Sequence, residues 1–240
     1  MRITKRSVEK PFSGGAVIDA ALTDTFHYER SLIRAGYPSV AGVDEAGRGP
    51  LAGPVVAGCV ILPDYAEYFR FKDSKVLTPE RREILYDYLR ECGAKIGFAV
   101  VSPAEIDRIN ILQASLQAMA RAVSQLAERE EQPDYLLVDG KFTAPVALPQ
   151  EALVRGESKS ASIAAASIVA KVERDRLMAE YHQEFPEYNF ARHKGYATKD
   201  HRLAIERYGP CPIHRRTFKG VREFLDKNDG TRPVPQQPLW

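Results

Sequence analysis

Two stretches of this 240-residue chain put acids where an apolar run stops. "VAGVDEAGRGPLAGPVVAG", residues 40–58, carries Asp44 and Glu45 at the end of one run. "DYLLVDG", residues 134–140, carries Asp139 at the end of another. Acids at the C-terminal ends of strands occupy the edge where α/β sheets bind ligands. Three carboxylates meeting there repel one another unless protons or a cation compensate. A donor set of oxygens without His or Cys suits Mg2+ or Mn2+ rather than zinc. Successive strand residues point to opposite faces. Asp44 and Glu45 therefore share a site only if the strand ends or twists there. Any one of these acids alone reads more simply as a turn cap or a surface ion-pair partner. The joint pattern is what favours a site.

The turn Gly47-Arg48-Gly49 follows the acid pair at once. It lacks the Gly-Lys-Ser/Thr ending of a P-loop, and its third glycine comes one residue late for a dinucleotide fingerprint. Glycines leave the backbone bare. Such a turn presents N–H and C=O groups to a sugar-phosphate chain, and a ribose 2′-OH both donates and accepts. Arg48 supplies a planar fork for a phosphate.

The surrounding elements must hold these groups. A short helix is expected over 26–35, stopped by Gly36-Tyr37-Pro38. Residues 39–45 and 53–62 read as a hairpin of buried strands. Thr78 and Pro79 open a helix that Gly93 closes. Residues 94–102 are a third strand, and "SPAE", 102–105, opens a helical region. Within it Leu112, Leu116, Met119, Val123 and Leu126 form one apolar face, read as core. Strands at 134–140 and 151–154 precede a long helix over 158–185 whose first half is small residues. Thr198 and Gly209 bound a last helix. Strands first, then strands alternating with helices, predict an α/β domain whose mixed sheet is antiparallel at its start and parallel later. The expected division is an extension with a short helix over 1–37, a catalytic domain over 38–190, a helical basic appendage over 191–226 and a disordered tail over 227–240.

Composition sets bounds. Three cysteines, Cys59, Cys92 and Cys211, form no CxxC pair, which argues against a disulfide framework or a zinc site and fits a reducing, cytoplasmic setting. No run is apolar and long enough to span a membrane. The net charge of +2 hides an asymmetry. Between Arg192 and Arg222 nine Lys/Arg face only Asp200 and Glu206, leaving +7 there and −5 elsewhere. A basic segment beside an acidic body suits a polyanionic partner, although a solvated helical face gives the same count.

These motifs resemble the ribonuclease HII family. The likeness continues from "GVDEAGRGPLAGPVVAG" through "KDSKVL" (72–77), "NILQASLQAM" (110–119), "LLVDG" (136–140), "SIAAASIVAKVERDRLM" (162–178), "HKGYATKDH" (193–201) and "HRRTF" (214–218). It implies a ribonuclease H-like mixed sheet flanked by helices with a small helical C-terminal appendage. It implies metal-binding carboxylates at Asp44, Glu45 and Asp139, and a fourth catalytic carboxylate at Glu157. Where the family has aspartate after Lys-Gly, this chain reads "VRGESKS". The extra methylene keeps the charge but shifts it, so Glu157 is expected to act through water or on a second ion. Asp175, deep in the long helix, reads as structural. Gly47, Arg48 and Gly49 match the segment that grips a 2′-OH by its backbone. Tyr196 matches a tyrosine that stacks on the next deoxyribose. Lys75, Lys194 and Lys199 are expected at phosphates.

The implied activity is endonucleolytic cleavage of the RNA strand of RNA–DNA hybrids and 5′ of single ribonucleotides in duplex DNA. Two divalent ions about 3.5–4 Å apart would serve it, leaving 3′-hydroxyl and 5′-phosphate ends. The implied role is removal of misincorporated ribonucleotides or primer remnants. His193, His201 and His214 are not needed as general bases and are read as structural. The partner is RNA–DNA hybrid or ribonucleotide-containing duplex, with no membrane and a monomeric state. The ending "QQPLW" loosely resembles short peptides that dock on replication clamps. Two alternatives remain open at this level: a non-catalytic nucleic-acid-binding module of the same fold, and a related metal-dependent nuclease with another substrate.

Overall fold

The computed structural model of the chain describes residues 24–71 and 77–225. Lys75, residues 1–23 of the expected N-terminal extension and the whole of the expected tail over 227–240, with its "QQPLW" ending, lie outside the described residues. Helix α1 (His27–Arg34) leads into β1 (Val40–Ala46) and β2 (Val55–Ile61), followed by α2 (Pro79–Glu91) and β3 (Lys95–Val101). Then come α3 (Pro103–Ile109), α4 (Ile111–Ala127), β4 (Tyr135–Asp139) and β5 (Gln150–Leu153). The long α5 (Ala161–Glu184) precedes the short α6 (Phe190–His193), α7 (Lys199–Tyr208) and α8 (Arg222–Leu225).

The sheet has five strands in the order β3-β2-β1-β4-β5. β1 pairs antiparallel with β2, and β2 with β3; β1 pairs parallel with β4, and β4 with β5. The mixed sheet is the one expected from the element order. Its three central strands are buried on both faces. Val43, Val55, Ala57 and Cys59 pack with Met119, Val123 and Leu126 of α4. The opposite face lies on the small-residue half of α5. A Cβ on Gly42 of β1 would sit 2.1 Å from the Ile163 nitrogen, so only glycine admits the helix at that distance.

Local chemistry sets the ends of elements. Thr78 and Ser102 accept from Arg81 N–H and Glu105 N–H, and Pro follows each at the first helical position. The helical region after residue 102 is broken. Asn110 takes a positive φ of 66° and its Oδ1 caps Leu112 and Gln113 N–H, so α4 starts afresh there. α5 begins three residues later than the sequence pattern suggested. Ser160 caps it through Ile163 N–H, and Gly156–Ser158 forms a separate 3-10 turn. Along α4 the predicted apolar face is core at Met119, Val123 and Leu126. Leu116 packs on the core's margin, and Leu112 lines a cleft at the sheet edge.

The C-terminal segments close over the end of α5. Met178, Tyr188, Phe190, Ile205 and Ile213 share a core with Leu51 and Ala52 of the β1–β2 connection. The turn after the acid pair is thereby gripped between α5 and the C-terminal helices.

Candidate active site

Asp44 and Glu45 obey strand alternation. Gly42 faces α5, so Asp44 does too, while Glu45 follows Val43 to the α4 side. The strand does not end at the pair, since β1 stays paired with β2 through Ala46↔Val56. Its pairing with β4 stops at Val43↔Val138. Beyond that point β1 has a bare edge facing the end of β4, and both acids reach it from their two faces. The condition the sequence set is met by the loss of one neighbour rather than by an end of the strand.

Four acids gather around that edge. Asp44 is only 3 % exposed and its Oδ1 accepts from Glu45 N–H at 2.7 Å. Glu157 is 8 % exposed on the 3-10 turn and lies within hydrogen-bonding reach of Asp44. Asp139 Oδ1 accepts from Gly156 N–H at 2.7 Å, which ties the end of β4 to the turn carrying Glu157. Burial, then the charges of Glu45, Asp139 and Glu157, hold the Asp44 carboxyl well above its ordinary pKa. Two carboxylates in contact require a shared proton or a cation between them. Among the described residues no three acids, His or Cys side chains already converge as a closed metal cage. The arrangement is an open edge of oxygen donors. The half-exposed Arg48 meets Glu45 at 3.2 Å. Donor type and excess negative charge together fit hard divalent cations.

On the α4 side a cleft is lined by Glu45, Arg48, Leu112, Asp139, Lys141 and Phe142. On the other flank the glycine turn lies beside the tyrosine. A Cβ built on Gly49 would lie 3.8 Å from the Tyr196 ring, and Tyr196 is 47 % exposed. The three residues of the turn, the four acids and Tyr196 thus occupy one end of the sheet. Lys199 is exposed at the start of α7, whereas Lys194 is half-buried and turns its ammonium toward the Asp175 carbonyl at 3.5 Å. Asp175 pairs with Lys171 and with Arg82, in keeping with a structural acid.

Gly47 needs to be glycine for a reason the sequence did not disclose. Its φ is +101°, and a Cβ there would sit 2.2 Å from Arg174 Nε. Arg174 and Arg215 are fully buried, at 1 % and 0 % exposure, beneath the turn. Arg174 donates to the carbonyls of Pro54 (3.0 Å), Ala52 (3.3 Å) and Lys194 (3.0 Å). Arg215 donates to those of Gly53 (3.0 Å), Arg48 (2.8 Å), Pro54 (3.3 Å) and Gly47. Burial, then the charge of Arg174, push the Arg215 pKa down to about 9, so it stays ionised at neutral pH. Counting Arg215 with the basic C-terminal surface, as charge alone suggests, is therefore a mistake: its charge lies inside. "HRRTF" carried the only sequence signal for it.

The three histidines are buried and hydrogen-bonded to one another and to backbone. Cys211 N–H donates to His214 Nδ1, and His214 Nε2 meets His201 Nε2 at 3.0 Å. His201 Nδ1 meets the Tyr196 carbonyl at 2.9 Å. One set of neutral tautomers satisfies this chain, with His214 donating from Nε2 and His201 from Nδ1. His193 stacks on His201 and accepts from Gly195 N–H. Burial lowers all three pKa values, to about 4 for His201 and about 3 for His214. These groups hold the Tyr196 segment in place and are shielded from a substrate.

A family model described as Ribonuclease HII matches residues 41–221. The chain is 57 % identical over 198 residues to the ribonuclease HII of Geobacter metallireducens, covering 82 % of this chain and 92 % of that one. It is 55 % identical over 203 residues to that of Desulfotalea psychrophila, covering 85 % and 90 %. Among solved structures, the ribonuclease H2 of Pyrococcus horikoshii superposes with a TM-score of 0.64 at 28 % identity, covering 79 % of this chain and 98 % of that one. The Archaeoglobus fulgidus RNase HII, solved as a complex with PCNA, also superposes with a TM-score of 0.64, at 26 % identity over 75 % and 95 %.

Proposed function

This chain belongs to the ribonuclease HII family and is a ribonuclease H, and on that premise we propose that it cuts the RNA strand of RNA–DNA hybrids and the 5′ side of single ribonucleotides in duplex DNA. The observation that carries the finer part is the position of Gly49 beside the exposed Tyr196 ring near the acid cluster, so close that an added Cβ would reach within 3.8 Å of the ring. A bare turn reads a 2′-OH with backbone groups, and the adjoining ring packs on a sugar that lacks one. Two neighbouring checks of opposite sense select a ribonucleotide followed by DNA.

Asp44, Glu45 and Asp139 would hold Mg2+ or Mn2+, with Glu157 acting through water or on a second ion; the metal when bound supplies an acidified water and offsets charge on the phosphate. The protein's own part is positional. Gly156 N–H fixes the Asp139 carboxylate and Glu45 N–H fixes that of Asp44. Arg48 holds Glu45 in the cleft and offers its remaining donors to a phosphate oxygen. Exposed Lys199 and Arg202 on α7 attract the duplex backbone. No side-chain nucleophile or histidine base enters this scheme, and the expected products carry 3′-hydroxyl and 5′-phosphate ends.

The setting follows from the same chemistry. Free cysteines suit a reducing cytoplasm, and among the described residues no helix is long and apolar enough to cross a membrane. A monomer acting in ribonucleotide removal is part of this reading, and so is a clamp contact through "QQPLW", in keeping with the complex formed by the A. fulgidus relative. The deciding experiment incubates a DNA duplex bearing one ribonucleotide with the full chain, with and without Mg2+ or Mn2+. Metal-dependent cleavage 5′ of the ribonucleotide, lost in Asp139→Asn, is expected. No cut, or full activity in Asp139→Asn, sinks the reading.

A further inference from the structure

Arg174 and Arg215 are the largest fully buried side chains among the described residues. Burying a guanidinium is costly unless its donors are satisfied. Here the donors go to main-chain carbonyls, seven contacts in all. The pattern of acceptors is informative. Arg215 holds the carbonyls of Gly47 and Arg48, inside the turn proposed to read the ribose. Arg174 holds the carbonyl of Lys194, two residues before Tyr196. Both arginines share the Pro54 carbonyl. A continuous buried path thus runs from the glycine turn through Arg215, Pro54 and Arg174 to the tyrosine segment. Backbone bonds brace it, since Leu51 N–H donates to the Gly195 carbonyl and Arg215 N–H to that of Leu51. With its carbonyls held from below at 47 and 48, the turn leaves its other polar groups for a ligand above.

Resting on the function proposed above, we propose that Arg174 and Arg215 are positioning residues that fix the gap between the 47–49 turn and the Tyr196 ring, and thereby set selectivity for an RNA-to-DNA step. Neither touches substrate. Each planar fork spans several carbonyls in one geometry, which the point-like ammonium of lysine does not reproduce.

The test compares kcat and KM on two duplexes, one with a single ribonucleotide in DNA and one a continuous RNA–DNA hybrid. The full chain is assayed as wild type, Tyr196→Ala, Arg174→Lys, Arg215→Lys and the Arg174→Lys/Tyr196→Ala double variant, each first checked for a cooperative melt. Both arginine variants are expected to lower the single-ribonucleotide to hybrid ratio of kcat/KM about fivefold or more, toward that of Tyr196→Ala, because small misplacements are costly at a reading site. In the Tyr196→Ala background the arginine change is expected to move the ratio no further. A parallel loss on both duplexes, or an unchanged ratio, overturns the proposal. Should a lysine variant not melt cooperatively, Arg174→Gln is read by the same ratio. If the wild type cuts neither duplex, the functional reading fails and takes this inference with it. A selective wild type with unaltered variant ratios overturns the inference alone.

Discussion

The two glycines of the turn look equivalent in sequence, and the structure gives them different work. Gly47→Ala puts a methyl 2.2 Å from Arg174 Nε, 2.6 Å from its Cδ and 2.7 Å from the Pro54 carbonyl. None of these neighbours is free to move, since Arg174 is buried and bonded to three carbonyls. The φ of +101° adds strain of about 1–3 kcal/mol for a residue with a Cβ. Displacing the guanidinium weakens at least one buried charged hydrogen bond, at about 1.5–3 kcal/mol. The expected loss is therefore about 3 kcal/mol or more. Gly49→Ala meets only the Tyr196 ring edge at 3.8 Å, an ordinary contact, so its stability should fall by less than about 1 kcal/mol. The added methyl nonetheless enters the gap between turn and ring, and cleavage of a single-ribonucleotide duplex should drop about tenfold or more. Urea unfolding of both variants, with the slope checked against wild type, gives the first pair of numbers. Steady-state cleavage gives the second. Equal stability losses for the two alanines, or a Gly47→Ala protein within about 1 kcal/mol of wild type, would refute the steric account.

Other consequences are open to direct measurement. Glu29 of α1 is buried and accepts from Ser160 Oγ at 2.6 Å and from Ser162 N–H at 2.9 Å, at the start of α5. Glu29→Ala leaves those donors without their acceptor and should cost about 1–3 kcal/mol in urea unfolding, with no change in the site acids. His201 and His214 have folded pKa values near 4 and 3, below the ordinary 6.5. At these two sites the unfolded chain therefore binds more protons below pH 6.5, and their contribution to stability should fall as pH drops from there toward 4. Replacing His214 by Asn should flatten that slope in melts taken across this window. Glu157→Asp shortens the reach, and Glu157→Gln removes the charge. If charge is what matters, metal-dependent cleavage should survive in the first far better than in the second; equal losses would point to reach instead.

Much of the fold was legible in the sequence. The glycine turn between apolar runs gave the β1–β2 hairpin, caps at Thr78, Ser102 and Thr198 gave helix starts, and small residues in 161–170 gave the helix that lies on the sheet. The break at Asn110 was missed because the apolar pattern continues across it, while the cap rests on one side-chain amide. The same pattern placed Leu112 in the core. In the fold it lines the acid cleft, because β4 ends beneath it at Asp139.

The sequence by itself set out the chemistry expected here: oxygen donors closing two apolar runs, a bare turn beside them and an aromatic residue in a basic segment, with the family resemblance adding the departure from aspartate at Glu157. Residue type carries that information, and short spacing preserves it. Only the tertiary structure decided how the parts meet. It brings Glu157 against Asp44 across more than a hundred residues, and it turns two of the chain's many cations inward. The partners of Arg174 and Arg215 are main-chain carbonyls, which every residue possesses. No pattern of side chains marks which carbonyls will be held, so that choice belongs to the fold.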